Sequence, residues 1–105
     1  MKIVIFGLTI TSSWGNGHAT LWRGLCKALA KQGHEIVFFE RDVSYYAGAR
    51  DFYEFPGIQI DLYADWDAVG LRATHETRDA DVAIEVESAE IFRLPWREDV
   101  IVTAE

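Results

Sequence analysis

Lys2-Ile3-Val4-Ile5-Phe6-Gly7, followed by Leu8 to Gly17, Trp22-x-x-Leu25-Cys26-x-x-Leu29, Gly33 and Ile36-Val37-Phe38-Phe39-Glu40, is the stretch that decides the fold. The first run is short, β-rich and apolar throughout, the mark of a strand buried on both faces of a parallel sheet. After the loop the period changes. Trp22, Leu25, Cys26 and Leu29 fall at i, i+3, i+4 and i+7, with Leu21 and Ala28 beside them, which is one apolar helix face. Gly33 stands where a left-handed C-cap belongs, and Lys31 supplies a cation to the last turn. Ile36 to Phe39 is a second strand, with Glu40, Arg41 and Asp42 at its carboxyl end. Strand, helix, strand over this length is a βαβ unit, which implies parallel pairing and a right-handed connection.

The rest of the chain extends that sheet. Asp42 or Ser44 can cap a helix running toward Tyr53, with Tyr45, Ala49, Phe52 and Tyr53 near helical spacing. Pro56-Gly57 is a turn. Ile58-Gln59-Ile60-Asp61-Leu62-Tyr63 alternates apolar and polar residues, as a half-exposed or edge strand does. Ala64 to Asp67 reads as a loop or helix start, Ala68 to Arg78 as a short helix, and Val82 to Val86 as a fourth strand. Glu87 to Arg97 holds one helical turn rather than a full crossover helix, and Val100-Ile101-Val102 is a fifth strand or a frayed tail. The expected architecture is α/β: a Rossmann-like three-layer sandwich, with a mainly parallel sheet of four or five strands, in a single domain over residues 1–105. The length suits one domain with one core.

Charge divides unevenly. Residues 1–50 carry six Lys/Arg against three Asp/Glu, and residues 51–105 carry four Arg against fourteen acids. An acidic chain of net charge −7 is poorly matched to nucleic acid, whose phosphates need a basic surface. The acidic half reads first as a solubilising surface. Cys26 is the single cysteine, so no disulfide framework forms within one chain, and on the apolar face it reads as a small buried hydrophobe. The amino terminus is too short in apolar residues for a signal peptide, and no run approaches membrane-spanning length. The expectation is a cytoplasmic protein.

The loop Leu8–Gly17 is long for a strand-to-helix connection, a first pointer to a ligand. Gly15-Asn16-Gly17 can bring backbone close to a bound group, Asn16 or Thr20 can cap the helix, and the helix start offers free N–H groups at the carboxyl edge of the sheet. Its bland reading is a tight turn. The dinucleotide fingerprint fits poorly. Gly15 lies well beyond the strand end and position 20 is Thr, although Glu40 stands where a ribose-binding acid belongs. No cofactor is expected. Three separated histidines, His18, His34 and His75, do not make a metal site, so none is expected. Trp22 reads as core; Trp14 could stack on a sugar.

Met1 to Gly7, Gly15-Asn16-Gly17-His18-Ala19-Thr20 and Phe38-Phe39-Glu40-Arg41-Asp42 together resemble the start of a glycosyltransferase. The nearest likeness is to the group-1-like, spore-maturation CgeB-type enzymes of the GT-B fold. Ser44-Tyr45-Tyr46, Leu62-Tyr63 with Asp65-Trp66-Asp67, and Ala80-Asp81-Val82-Ala83-Ile84 continue it, so that it covers about residues 1–84. The resemblance implies two Rossmann-like domains facing a cleft, the first holding the acceptor and the second the nucleotide-sugar donor. It implies His18 as the general base on the acceptor hydroxyl. Glu40, Asp42 and Asp65 are alternative candidates for an acid that orients it, because the carboxyl ends of the strands converge at one edge. Trp14, Gly15, Asn16, Gly17, Glu40 and Asp42 are the expected ligand-binding residues. Glu85 to Glu105 depart from the family pattern, and no donor domain lies within the 105 residues. The expectation is therefore a truncated or stand-alone acceptor-side domain, inactive without a donor-binding partner, meeting a sugar acceptor or nucleotide-sugar. The rival expectation is a small ligand-binding or self-associating module without catalysis, whose exposed sheet edge pairs with a second copy as a homodimer.

Overall fold

The computed structural model describes residues 1–7, 9–12, 18–42, 48, 51, 56–85 and 101–103. Among them five strands form one all-parallel sheet: β1 (Lys2–Gly7), β2 (Glu35–Arg41), β3 (Ile58–Tyr63), β4 (Val82–Glu85) and β5 (Ile101–Thr103), in the spatial order β3-β2-β1-β4-β5. Two helices are described, α1 (His18–Lys31) and α2 (Trp66–Thr77). The result is the layered α/β fold that the apolar strands and the βαβ spacing imply. No described helix is long and apolar enough to cross a membrane.

Period-two alternation sends each central strand's side chains to two cores. Ile3, Ile5, Ile36, Phe38 and Ile58 face α1 and meet its Trp22 and Cys26. Val4, Phe6, Val37 and Phe39 face α2 and meet its Val69 and Ala73. Phe6 and Phe39 stack at 4.9 Å between ring centroids, while Trp22 meets Phe38 edge-on at 5.6 Å on the opposite face. Helices on opposite faces follow from the strand order. The chain moves outward from β1 to β2 and β3, then reverses to β4, and right-handed connections put a reversed crossover on the other face.

Gly7 permits the tight packing on the α1 face. A Cβ there would lie 2.3 Å from Phe38 Cζ and 3.2 Å from Trp22 Nε1, so only a bare backbone accommodates the ring. α1 ends in the expected left-handed turn. Gly33 has φ +90°, its N–H donates to Ala30 O at 3.0 Å and the His34 N–H donates to Leu29 O at 3.2 Å, which is a Schellman cap. At the other helix, Asp65 is the N-cap, its side chain accepting from the Ala68 N–H at 2.8 Å.

One expectation needs correction. The buried stripe of α1 is Ala19, Trp22, Cys26 and the half-buried Leu29; Leu21 is 75% exposed, Leu25 is 44% exposed and Ala28 is exposed. The helix is rotated so that Trp22, the largest side chain, takes the centre of the contact. α2 begins at Trp66, within the stretch expected as a loop or helix start, with Asp65 capping it through the Ala68 N–H. The final apolar run takes the first of its two expected forms: Ile101–Thr103 is a strand, parallel to β4. The expected helical segments between Asp42 and Tyr53 and between Glu87 and Arg97 lie outside the described residues. β3 does stand at a sheet edge.

Candidate functional site

All five strands are parallel, so their carboxyl ends share one edge. α1 runs back along the sheet, so its amino end, at His18, comes to that edge. The strand order reverses between β1 and β4, and in open α/β sheets the crevice beside such a reversal is where ligands bind.

The carboxyl edge is built around Glu40. Its side chain is fully buried, and its carboxylate takes hold of the loop that leaves β1. Oε1 accepts from Thr9 Oγ1 at 3.1 Å, from the Ile10 N–H at 2.7 Å and from the Thr11 N–H at 3.0 Å; Oε2 accepts from Thr11 Oγ1 at 2.7 Å. The local reason lies in the register. Gly7 is opposite Glu40 in the β1–β2 ladder, so the chain leaving Gly7 passes directly over the carboxylate. Ile10 drops into the α1-side core between the two threonines and anchors the turn from below.

The loop's carbonyls are held from the outside. Arg23 of α1 donates from Nε to Ile10 O at 2.8 Å and pairs through its guanidinium with Asp51, whose own N–H donates to Thr11 O at 2.7 Å. Donors turned in to Glu40 and carbonyls turned out to Arg23 and Asp51 account for the backbone of Ile10 and Thr11 completely. The Ser12 N–H donates to Thr9 Oγ1 at 3.3 Å. Ser12 Oγ, also buried, has no hydrogen-bond partner among the described residues. Charge-assisted bonds of this kind are about twice as strong as neutral ones, so the loop is rigid where it meets the sheet.

Of the sequence-derived site residues, Trp14, Gly15, Asn16 and Gly17 lie outside the described residues. His18 is the first residue of α1. Glu40 directs both oxygens into the protein, at Thr9–Thr11, and so holds the loop rather than facing the solvent. Asp42 is exposed just past β2, and its N–H donates to Tyr63 O at 2.7 Å, prolonging the β2–β3 ladder to the rim. Asp65 is spent in part on capping α2. The topology thus gathers His18, Glu40, Asp42 and Asp65 at one edge. His34 lies at the opposite end, with its Nδ1 3.1 Å from the amino terminus, and His75 is exposed on α2. Among the described residues no three His, Cys, Asp or Glu side chains are grouped to hold a metal ion.

Two features away from this edge complete the electrostatics. Burial pushes the Cys26 thiol up to about 11, which leaves it protonated and unreactive. At the amino edge Lys2 bonds Asp79 at 2.6 Å and Glu76 at 3.0 Å. Desolvation acts to lower the Lys2 pKa, but these two acids together raise it above its usual value; Lys2 in turn lowers that of Asp79. A pocket of about 380 Å³ also lies at the amino ends of β2 and β3, between Gly33–Ile36 and Gly57–Gln59, at the end of the sheet remote from the loop.

Sequence reasoning missed the partners of Glu40. The signal was present as Thr9-Ile10-Thr11, two hydroxyls flanking an apolar residue just after a buried strand, but it pairs with an acid about thirty residues away. No family model, no curated protein and no solved structure matches this chain.

Proposed function

We propose that this chain is the acceptor-side domain of a GT-B-type glycosyltransferase, and that it binds a hydroxyl-bearing acceptor at the carboxyl edge of its sheet. The observation that supports the reading is the Glu40 network. A buried carboxylate committed to ordering the loop after β1 is costly unless that loop must hold a shape. The segment it steadies precedes α1 in the chain, and the resemblance puts the base that meets the acceptor at the start of that helix.

In this reading His18, at the amino end of α1, takes the proton of the acceptor hydroxyl. The hydroxyl oxygen forms its bond to the anomeric carbon as the bond from that carbon to the nucleotide phosphate breaks. Orienting the donor and stabilising the departing phosphate require a second, donor-binding domain. These 105 residues alone therefore bind without transferring. A non-catalytic ligand-binding module would use the same edge and the same loop, without a donor-domain partner.

The test is an amide chemical-shift titration with a panel of mono- and disaccharides and with UDP-, GDP- and TDP-sugars, run beside a turnover assay. The expected result is saturable perturbation at Thr9–Ser12 and His18–Thr20 by a saccharide, with no nucleotide release. Saturable binding of NAD(P) instead, perturbations confined to the Gly33–Gln59 pocket, or turnover by the purified chain alone would overturn the proposal.

A further inference from the structure

Among the described residues β3 is the outermost strand on its side of the sheet, and no described strand pairs with its outer backbone. The Ile36 N–H donates to Gly57 O and the Asp42 N–H to Tyr63 O, so the odd-numbered residues of β3 turn their polar groups toward β2. By strand alternation, Ile58, Ile60 and Leu62 turn their N–H and C=O groups outward. No hydrogen bond to these outward groups is found among the described residues. Natural edge strands are usually blunted by lysine, proline or a bulge. β3 has none of these: it pairs with β2 without interruption from Ile58 to Tyr63, and its one charge, Asp61, is already bonded to Arg72 at 2.8 Å.

We infer that β3 is a self-association edge, and that its partner is β3 of a second copy of this chain, paired antiparallel about a twofold axis beside Ile60. The register follows from which groups are free. Ile60 faces Ile60 of the second copy and Ile58 faces its Leu62, each pair exchanging two N–H···O bonds, so every outward group finds a partner. On the α1 face this pairing sets Ile58, Ile60 and Leu62 against their counterparts and covers Leu62, now 38% exposed. On the α2 face Gln59 comes opposite Asp61 of the second copy, an amide donor against a carboxylate, with no like charges directly facing. A shift by two residues keeps a twofold axis but leaves an outward residue of each copy beyond the partner's β3. The two sheets join into one, an isologous arrangement that closes at the dimer. This inference is independent of what binds at the carboxyl edge.

The experiment combines light scattering over a concentration series with amide hydrogen exchange on the intact chain. The expected mass is twice that of the 11.9 kDa chain, with the Ile58, Ile60 and Leu62 amides protected in step with the dimer fraction. Each copy carries a net charge of −7, so raising salt from about 50 mM to about 500 mM strengthens the pairing by screening repulsion. Leu62→Lys, at an exposed position, weakens dimerisation by about tenfold or more, whereas Leu71→Lys, at an 89% exposed site on α2, leaves it unchanged. A single-chain mass at about 0.5 mM, a concentration far above an ordinary micromolar Kd, overturns the inference. So do a dimer whose Ile58, Ile60 and Leu62 amides exchange freely, and a dimer broken by Leu71→Lys but not by Leu62→Lys.

Discussion

Replacing Glu40 separates a residue that holds the loop from one that contacts a ligand. In Glu40→Ala, the Ile10 and Thr11 N–H groups lose their acceptor inside the protein, and the hydroxyls of Thr9 and Thr11 lose theirs. A buried donor left without a partner costs about 1–3 kcal/mol. The two amides alone therefore put the loss near 2–6 kcal/mol, and the space vacated by the side chain adds to it. A domain of this size has about 5–15 kcal/mol in total, so Glu40→Ala approaches the limit of folding. Glu40→Gln keeps one acceptor oxygen for the amides, while its NH₂ can donate to Thr11 Oγ1. It loses only the charge-assisted part, about 1–3 kcal/mol. The assay is urea unfolding followed by tryptophan fluorescence, since Trp22 packs on Phe38 in the core. The ordering wild type, then Gln, then Ala, with a gap of at least about 2 kcal/mol between wild type and Ala, is the expected outcome. If Glu40→Ala is as stable as wild type, or more stable as removal of a strained site acid often is, the carboxylate does not hold the loop and the reasoning fails.

Four further outcomes follow from the packing and charge. Gly7→Ala drives a methyl into the Phe38 ring and should destabilise by about 1–3 kcal/mol in the same urea assay, the usual cost of overpacking. Gly33→Ala, at φ +90°, should cost about 1 kcal/mol, read as a lower midpoint with unchanged slope. Cys26 should resist iodoacetamide at pH 8 in the folded chain and react once urea unfolds it, because burial lifts its pKa to about 11. Lys2, with a folded pKa above its ordinary 10.5, contributes stability at lower pH that is lost as pH rises through the folded value. Asp79, with a folded pKa below 3.8, contributes stability at higher pH that is lost as pH falls through its folded value. The contribution of this pair to melting temperature should therefore be constant between these limits and fall away outside them, and Lys2→Met should remove it.

Much of the fold could be read from periodicity because periodicity reports burial directly. Ile58 to Tyr63 alternates because one side of an edge strand is half covered, and the strand occupies those residues at the sheet edge. Ile3 to Phe6 does not alternate because α1 covers one face and α2 the other. Gly33 was legible because a left-handed turn after a helix has few alternatives. The rotation of α1 was not. Its apolar residues extend round from Trp22 to Leu21 and Ala28, and only packing against Phe38 and Ile3 selects which part is buried. Gly7 could be seen as a strand end but not as the seat of an aromatic ring, since Phe38 arrives from the next strand. The site divides in the same way. The carboxyl-edge placement of His18, Glu40 and Asp42 follows from strand order. The inward turn of Glu40 depends on Thr9, Thr11, Arg23 and Asp51 meeting across long separations.

The central claim is that the edge ordered by Glu40 is where this protein binds its ligand. The most direct measurement is the saccharide and nucleotide-sugar titration repeated on Glu40→Gln, at a temperature where that variant remains folded. The account predicts saturable perturbations at Thr9–Ser12 and His18–Thr20 in the wild type, and at least about tenfold weaker binding in the variant, because a loosened loop must be ordered before it can bind. Equal affinity in both proteins, or perturbations gathered at the opposite end around Gly33 and Gln59, would contradict it.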